Sequence, residues 1–354
     1  MQKIKKLLLF FFLLASTNLF AQSAADSMLN FIRQNKTRTS LYLQKNGNAI
    51  AALNENTLMP LASTVKILVA VEFAKQAAFK VFDENKYVSL KELDKYYLAN
   101  TDGGAHPNWI KYETNLGNIK NDSARLIDIA KGMIIFSSNA NTEFLMDLLG
   151  VDNVNGDIRM FGIKKHTPVY PLVSSLFLYQ DPKNIKEDKI IEEIKYLNNV
   201  QYSKAISVIH NELKFNAGYK QKFRLQDLTV KMQKVWSDRL PASTTKDYVH
   251  MISILNNRTI LDEKTYNVLS EVLETVMENP ANKSWLDHAG MKGGSTMFVL
   301  TKAVYATLKD GTKIELAYFF NNLSNPENSM LQQWMNAFEI KVLNDESFRK
   351  KIIL

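Results

Sequence analysis

Two β-capable runs, Thr39 to Lys45 and Ala49 to Asn54, flank Asn46-Gly47-Asn48. An Asn-Gly between such runs predicts a hairpin, because both residues tolerate the positive φ of a tight connection. A short helical pattern over 23–35 precedes it. After Met59-Pro60, the run from Ile67 to Phe79 is long and apolar enough for a buried helix. From there to about residue 282 the spacing of apolar positions is mainly helical, as in Leu126 to Ile135, Asn141 to Leu149 and Leu225 to Trp236. Strand character returns in Met297 to Thr301 and Lys302 to Leu308. Asp310-Gly311 marks a second hairpin, Lys313 to Phe320 follows as a strand, and Met330 to Leu343 predicts a closing amphipathic helix.

Strands at both ends with helices between them predict a mixed α/β (α+β) fold. One antiparallel sheet draws on both termini, and an all-helical lobe over about 67–282 is inserted between them. The segment from Asp181 to Lys222, rich in Lys and Glu, reads as a solvated helical insertion, with a lid over the site as the other reading. No repeat and no linker divides the chain.

The first 22 residues read as an export signal: Lys3, Lys5 and Lys6, then the apolar run Leu7 to Ala15, then small and polar residues up to a cut near Ala21 or Gln22. Nine apolar residues are too few to span a bilayer as a helix but suit a secretory core. The expectation is a folded domain over 23–354, exported and periplasmic, with no membrane span in the mature chain.

Composition narrows the chemistry. The chain has 354 residues, 46% hydrophobic and 23% charged, as in a folded globule. It has no cysteine, which excludes disulfides, thiolate zinc sites and a cysteine nucleophile. Its five histidines (His106, His166, His210, His250, His288) lack metal-ligand spacing. No metal is expected. The net charge of +8 falls to about +5 once the leader's three lysines are removed, and the rest are dispersed among acids. A dispersed excess is not a phosphate-tracking stripe, so no nucleic-acid partner is expected.

Three short words carry candidate chemistry. Ser63-Thr64-Val65-Lys66 places a hydroxyl and an ammonium on one face of a helix start, where a desolvated lysine can take the serine proton. The same spacing recurs at Ser243-Thr-Thr-Lys246 and Ser347-Phe-Arg-Lys350. Context favours the first, which follows a proline-containing turn and opens a strongly apolar helix. Ser243 reads as an N-cap and Ser347 as part of a charged tail. Ser137-Ser138-Asn139 lies between two helical runs, and alone it reads as a polar turn. Lys292-Gly293-Gly294-Ser295-Thr296 begins a late strand, where glycines allow close backbone approach. Alone it reads as a bulge or turn.

Together, and in this order, the three words resemble the penicillin-recognising serine enzymes, especially the class A β-lactamase-like family with its S-x-x-K, S-D-N and K-T-G motifs. The resemblance runs from about Arg38 to Leu343. It implies that Ser63 is the acylated nucleophile, Lys66 its base and Ser137 a proton relay to the departing nitrogen. Asn139 would hold a substrate amide, and Lys292 would attract a carboxylate. The N–H groups of Ser63 and Ser295 would form the oxyanion hole, with Gly294 and Thr296 as further substrate contacts. Trp109 reads either as a cleft wall or as a structural tryptophan. No cofactor is required, since hydroxyl, lysine and backbone donors suffice for acyl transfer.

The pattern departs in three places. Ser138 replaces the usual Asp, at a position that supports the turn. Gly293 replaces a hydroxyl residue, removing one bond to a substrate carboxylate. No acid occurs between Asp157 and Asp181, where the family's deacylating glutamate is expected. The expected partner is therefore a small β-lactam or a D-Ala-type peptide. The function is a class A-like serine hydrolase, a D-alanyl-D-alanine carboxypeptidase-like peptidase, or a binding module acylated without turnover.

Overall fold

The protein's structure, a computed structural model, describes residues 22–180 and 186–352. The expected leader lies outside the described residues except for Gln22, as does the start of the expected insertion. The chain runs through β1 (Thr39–Lys45), β2 (Asn48–Leu53), β3 (Met59–Pro60), β4 (Tyr87–Ser89), β5 (Ser123–Arg125), β6 (Ala242–Ser243), β7 (Leu286–Ser295), β8 (Leu300–Leu308) and β9 (Lys313–Phe320). Five of these form an antiparallel sheet in the order β2-β1-β9-β8-β7, so β7 is an edge. Two small pairs, β3 with β6 and β4 with β5, stitch the helical lobe.

Both faces of the sheet are covered, which explains why β8 and β9 read as nearly continuous apolar runs. Ala303, Tyr305, Ala317 and Phe319 pack toward the helical lobe. Leu300, Val304, Leu316, Tyr318 and Phe320 pack on the other side, with Met28 and Ile32 of the helix over 22–34 and Phe338 and Val342 of the helix Asn325–Asn344. The lobe is built around the helix Lys66–Ala78, ten of whose thirteen residues are buried.

Local chemistry moved several boundaries. The helix Asn139–Leu149 starts two residues earlier than its apolar spacing predicts, because Ser138 caps it by accepting the N–H of Asn141. Asn325–Asn344 likewise starts early, at a capping box between Ser324 and Glu327. The expected helix from Leu225 splits into a short 3-10 turn, Leu225–Asp227, and a helix Val230–Arg239 capped by Thr229. The two strands expected over 297–308 are one strand, with Met297 to Val299 in the turn before it. The Lys292-Gly293-Gly294 word ends β7 instead of opening a strand, since β7 already begins at Leu286.

Trp109 is wholly buried, and its indole donates to the carbonyl of Asp128 at 3.2 Å. It is a core residue and does not wall the cleft. Its ring lies where Gly132 has no side chain: a Cβ there would stand 2.4 Å from Cδ1 and Nε1 of Trp109. Gly132→Ala is therefore expected to lower unfolding free energy by about 1–3 kcal/mol through overpacking, despite alanine's better helix propensity. A urea unfolding midpoint checks this.

Candidate active site

Ser63 sits in a 3-10 turn, Ala62–Val65, that runs directly into the helix opening with Lys66. The turn is clamped to the sheet. Thr301 of β8 donates to the carbonyl of Leu61 at 2.7 Å and lies 2.8 Å from the Thr64 hydroxyl. Beside it β7 passes so closely that a Cβ on Gly294 would meet the Ser63 nitrogen at 2.5 Å and the Leu61 oxygen at 2.6 Å. Only glycine fits there.

Lys66 is fully buried. Its ammonium donates to the Ser137 carbonyl at 2.7 Å, to Asn139 Oδ1 at 2.8 Å and to Ser137 Oγ at 3.3 Å. No hydrogen bond joins it to Ser63 in this arrangement. Burial first, and then the charge of Lys292, push its pKa well below the ordinary lysine value, opposed by Asp102. Lys292, near the end of β7, donates to the same Ser137 Oγ at 3.1 Å and to the Gly293 carbonyl at 2.7 Å. Burial and the charge of Lys302 pull it down to about 7.

Ser137 thus lies between two lysine nitrogens. Its φ of 65° is a left-handed conformation that presents both its carbonyl and its hydroxyl to Lys66. Ser138 is wholly buried behind it, bonded to His106 Nδ1 at 2.9 Å as well as to Asn141. Ser63, Ser137 and Asn139 line one cleft of about 580 Å³ together with Gly293, Gly294, Ser295 and Thr296. Six of the eight candidate residues line the cleft, and the other two, Lys66 and Lys292, lie behind it, both bonded to Ser137 and Lys66 also to Asn139.

The other tetrapeptides lie elsewhere. Ser243 is buried in β6, donates to the Lys165 carbonyl at 2.7 Å, and is not a helix cap; Thr244 is, accepting from Asp247 N. Ser347 bonds to Asp345, which caps the last helix.

Sequence reasoning missed much of the cleft wall: Asp102, Phe136, Leu172, Gln233, Trp236, Gln332 and Met335. Only the acid in Thr101-Asp102-Gly103-Gly104 had a readable signal, a turn beside a candidate tryptophan. Lys302 was missed as well. It pairs with Glu339 at 3.4 Å, and its Nζ lies 4.0 Å from where a Cβ on Gly293 would stand. Among the described residues no cluster of three or more His, Asp or Glu side chains could hold a metal, and no helix is long and apolar enough to cross a membrane.

A five-stranded antiparallel sheet with a helical lobe, and a serine turn opposite paired lysines, defines the β-lactamase and transpeptidase fold class. The sequence profile of the β-lactamase enzyme family matches residues 22–329, and the chain belongs to that family. Similar solved structures include a class A β-lactamase representative from Bacteroides cellulosilyticus, with TM-score 0.54 and 13% identity over 92% of this chain and 99% of that one. A β-lactamase from Sphaerobacter thermophilus is similar at TM-score 0.54 and 14% identity, covering 90% and 97% of the two chains. PBP-A is similar at TM-score 0.51 and 14% identity, covering 90% and 95%. At these identities the likeness establishes the fold. No curated sequence is significantly similar to the chain.

Gly294→Ala is expected to push β7 away from the Ser63 turn. A displacement near 1 Å predicts a loss in Ser63 reactivity of about a hundredfold. The check is the rate of labelling by a fluorescent penicillin, with circular dichroism reporting that the fold is retained.

Proposed function

We propose that the protein is an exported serine hydrolase that takes the acyl group of a β-lactam or related amide onto Ser63 and then yields it to water. The observation that carries this reading is the Ser137 hydroxyl held 3.3 Å from Lys66 Nζ and 3.1 Å from Lys292 Nζ in the cleft that Ser63 lines. Export rests on the charged, then apolar, then small-residue order of positions 1–22.

The steps follow from proton accounting. A neutral Lys66 accepts the Ser63 proton as Oγ bonds to the carbonyl carbon. The N–H groups of Ser63 and Ser295 receive the oxyanion. As the C–N bond breaks, Ser137 passes its proton to the departing nitrogen and is reprotonated from Lys66, which returns to neutral. Asn139 holds the acyl side-chain amide. Lys292 draws in a substrate carboxylate, and the nearby charge of Lys302, itself paired with Glu339, acts on Lys292 from beside Gly293. Water then cleaves the ester.

One observation favours a second reading, a D-alanyl-D-alanine carboxypeptidase-like peptidase. The segment from Ile163 to Gln180 has no acid. Among the described residues Asp102 is the one carboxylate lining the cleft, and its oxygens accept the N–H groups of Gly104 and His106. Among the described residues no other carboxylate lines the cleft, so on this second reading a β-lactam acyl group is expected to persist.

Incubation with a chromogenic cephalosporin and a fluorescent penicillin, followed by intact mass, separates the readings. Fast colour supports the lactamase; a lasting adduct on Ser63 with cleavage of a D-Ala-D-Ala peptide supports the peptidase. An adduct without either turnover supports a binding module. Ser63→Ala and Lys66→Ala are each expected to abolish the adduct, and Ser243→Ala to leave it unchanged.

The pH dependence is also set. Lys292 loses its charge as pH rises through about 7. The preference for a carboxylate-bearing β-lactam over its methyl ester should therefore be greatest below that pH. It should fall about tenfold above it, the worth of one charge-assisted hydrogen bond. Taking the ratio of the two substrates cancels pH effects common to both.

A further inference from the structure

The wall of the cleft opposite β7 includes Leu172 and Trp236, which come from a short helix, Leu172–Ser175, and from the helix Val230–Arg239. Leu172–Ser175 is only four residues long, and a helix that short is not self-supporting.

What holds it is a carboxylate from another element. Glu143, on the helix that begins at Asn139, is 1% exposed and points into the start of the short helix. It accepts the N–H of Val173 at 2.6 Å, the N–H of Ser174 at 3.1 Å, and the Ser174 hydroxyl. The next residue continues the chain of contacts: Ser175 Oγ donates to the Leu172 carbonyl at 2.6 Å and accepts the indole N–H of Trp236 at 2.8 Å. One buried carboxylate thereby orders both wall residues.

Burying that charge requires a partner, and the partner comes from the helix Asn199–Phe215. His210 Nδ1 lies 3.2 Å from Glu143 Oε1, and its Nε2 lies 3.4 Å from Asp147 Oδ1. The Tyr96 ring stacks on the imidazole at 5.2 Å and 9°, and Lys214 holds the far side of Asp147 at 2.9 Å. Burial lowers the His210 pKa, but the bonds to Asp147 and Glu143 outweigh it and raise it to about 9. The imidazolium is present at neutral pH and compensates the carboxylates.

We propose that Glu143 is a positioning residue of the cleft, holding Leu172 and Trp236 in the substrate wall, and that His210 makes the inserted helical segment a support of that wall. The solvated-appendage reading of the insertion is thereby replaced for its His210 face. Ser174, His210 and Asp147 do not make a second nucleophilic site. Ser174 is fully buried, its hydroxyl donates to Glu143, and it does not reach the cleft.

The test compares wild type with Glu143→Gln, which leaves one acceptor oxygen where two now serve the Val173 and Ser174 N–H groups and the Ser174 hydroxyl, and which loses the charge paired with His210. Ser175→Ala serves as a second variant that removes only the link to Trp236. Amide exchange reads the wall directly. Protection of Val173 and Ser174 should fall at least about tenfold in Glu143→Gln while the helix Lys66–Ala78 keeps its own. With a fluorescent penicillin, both variants should weaken the binding constant about five- to tenfold and change the acylation rate constant less than about twofold. Unchanged exchange at Val173 and Ser174 overturns the proposal. So does a binding constant that stays at the wild-type value while only the melting temperature falls, because that is a merely structural role. The kinetic arm rests on the acyl-transfer reading. A wild type that forms no Ser63 adduct overturns that reading alone, and the exchange arm then decides this one. Should Glu143→Gln fail to fold, the kinetic split in Ser175→Ala decides it.

Discussion

The structure turns on a place where two backbones nearly touch. At Gly294 the edge strand β7 runs against Leu61 and Ser63 with no room for a Cβ. The Thr64–Thr301 hydroxyl pair and the bond from Thr301 to Leu61 hold that approach from behind. Ser63 comes from near the N-terminus and Gly294 from near the C-terminus, so this contact is where the sheet built from both ends meets the helical lobe. It also fixes the spacing of backbone donors around the Ser63 side chain, because the N–H groups of Ser63 and of the residue after Gly294 belong to the two touching segments. The left-handed Ala62, with φ of 45°, bends the chain into that turn. Such strain persists where the surroundings over-determine it, as four backbone and hydroxyl contacts do here.

Two lysines on one helix show how surroundings decide basicity. Lys66 and Lys75 both belong to the helix Lys66–Ala78. Lys75 bonds to Asp157 at 2.5 Å and to Glu72 at 2.6 Å, and these carboxylates raise its pKa despite the burial that opposes them. Lys66 is bonded only to neutral oxygens, those of Ser137 and Asn139, and faces the charge of Lys292. Nothing near it repays desolvation in full, so the neutral amine becomes accessible. The lysine pKa is lowered here by withholding a carboxylate. The same logic explains why Asp102 keeps its oxygens on backbone N–H groups and makes no bond to Lys66.

Much of this was legible from the residues. The hairpins at Asn46-Gly47 and Asp310-Gly311 announce themselves through turn chemistry, and β1, β2, β8 and β9 follow from them. Leu126–Ile135 forms over the range its apolar spacing predicts. The three words survive as positions because each depends on short-range spacing. What escaped depends on long-range packing. Nothing in Val235-Trp236-Ser237 says that this tryptophan and not Trp109 borders the cleft; that is decided by Gly132 making room for Trp109 in the core and by Ser175 holding Trp236. Lys302 gains its relation to the site only through the register that pairs it with Gly293.

The missing acid and the buried acid bear on each other. The segment from Ile163 to Gln180 contributes no carboxylate to the cleft, yet a carboxylate does meet it, from Glu143 on the facing helix. That group cannot serve as a water-activating base in this arrangement. Oε2 accepts the N–H groups of Val173 and Ser174, Oε1 shares the Ser174 N–H, accepts the Ser174 hydroxyl and faces His210, and the whole side chain lies out of contact with the cleft. A carboxylate whose oxygens are engaged and which does not reach the cleft has no position from which to take a proton from a cleft water. The structural demand on Glu143 and the chemical demand for a base are thus incompatible at one side chain. A wall segment of this composition can be ordered by an acid from outside it only if that acid gives up catalysis. This is the physical content of the expectation that the acyl group on Ser63 outlives the step that forms it.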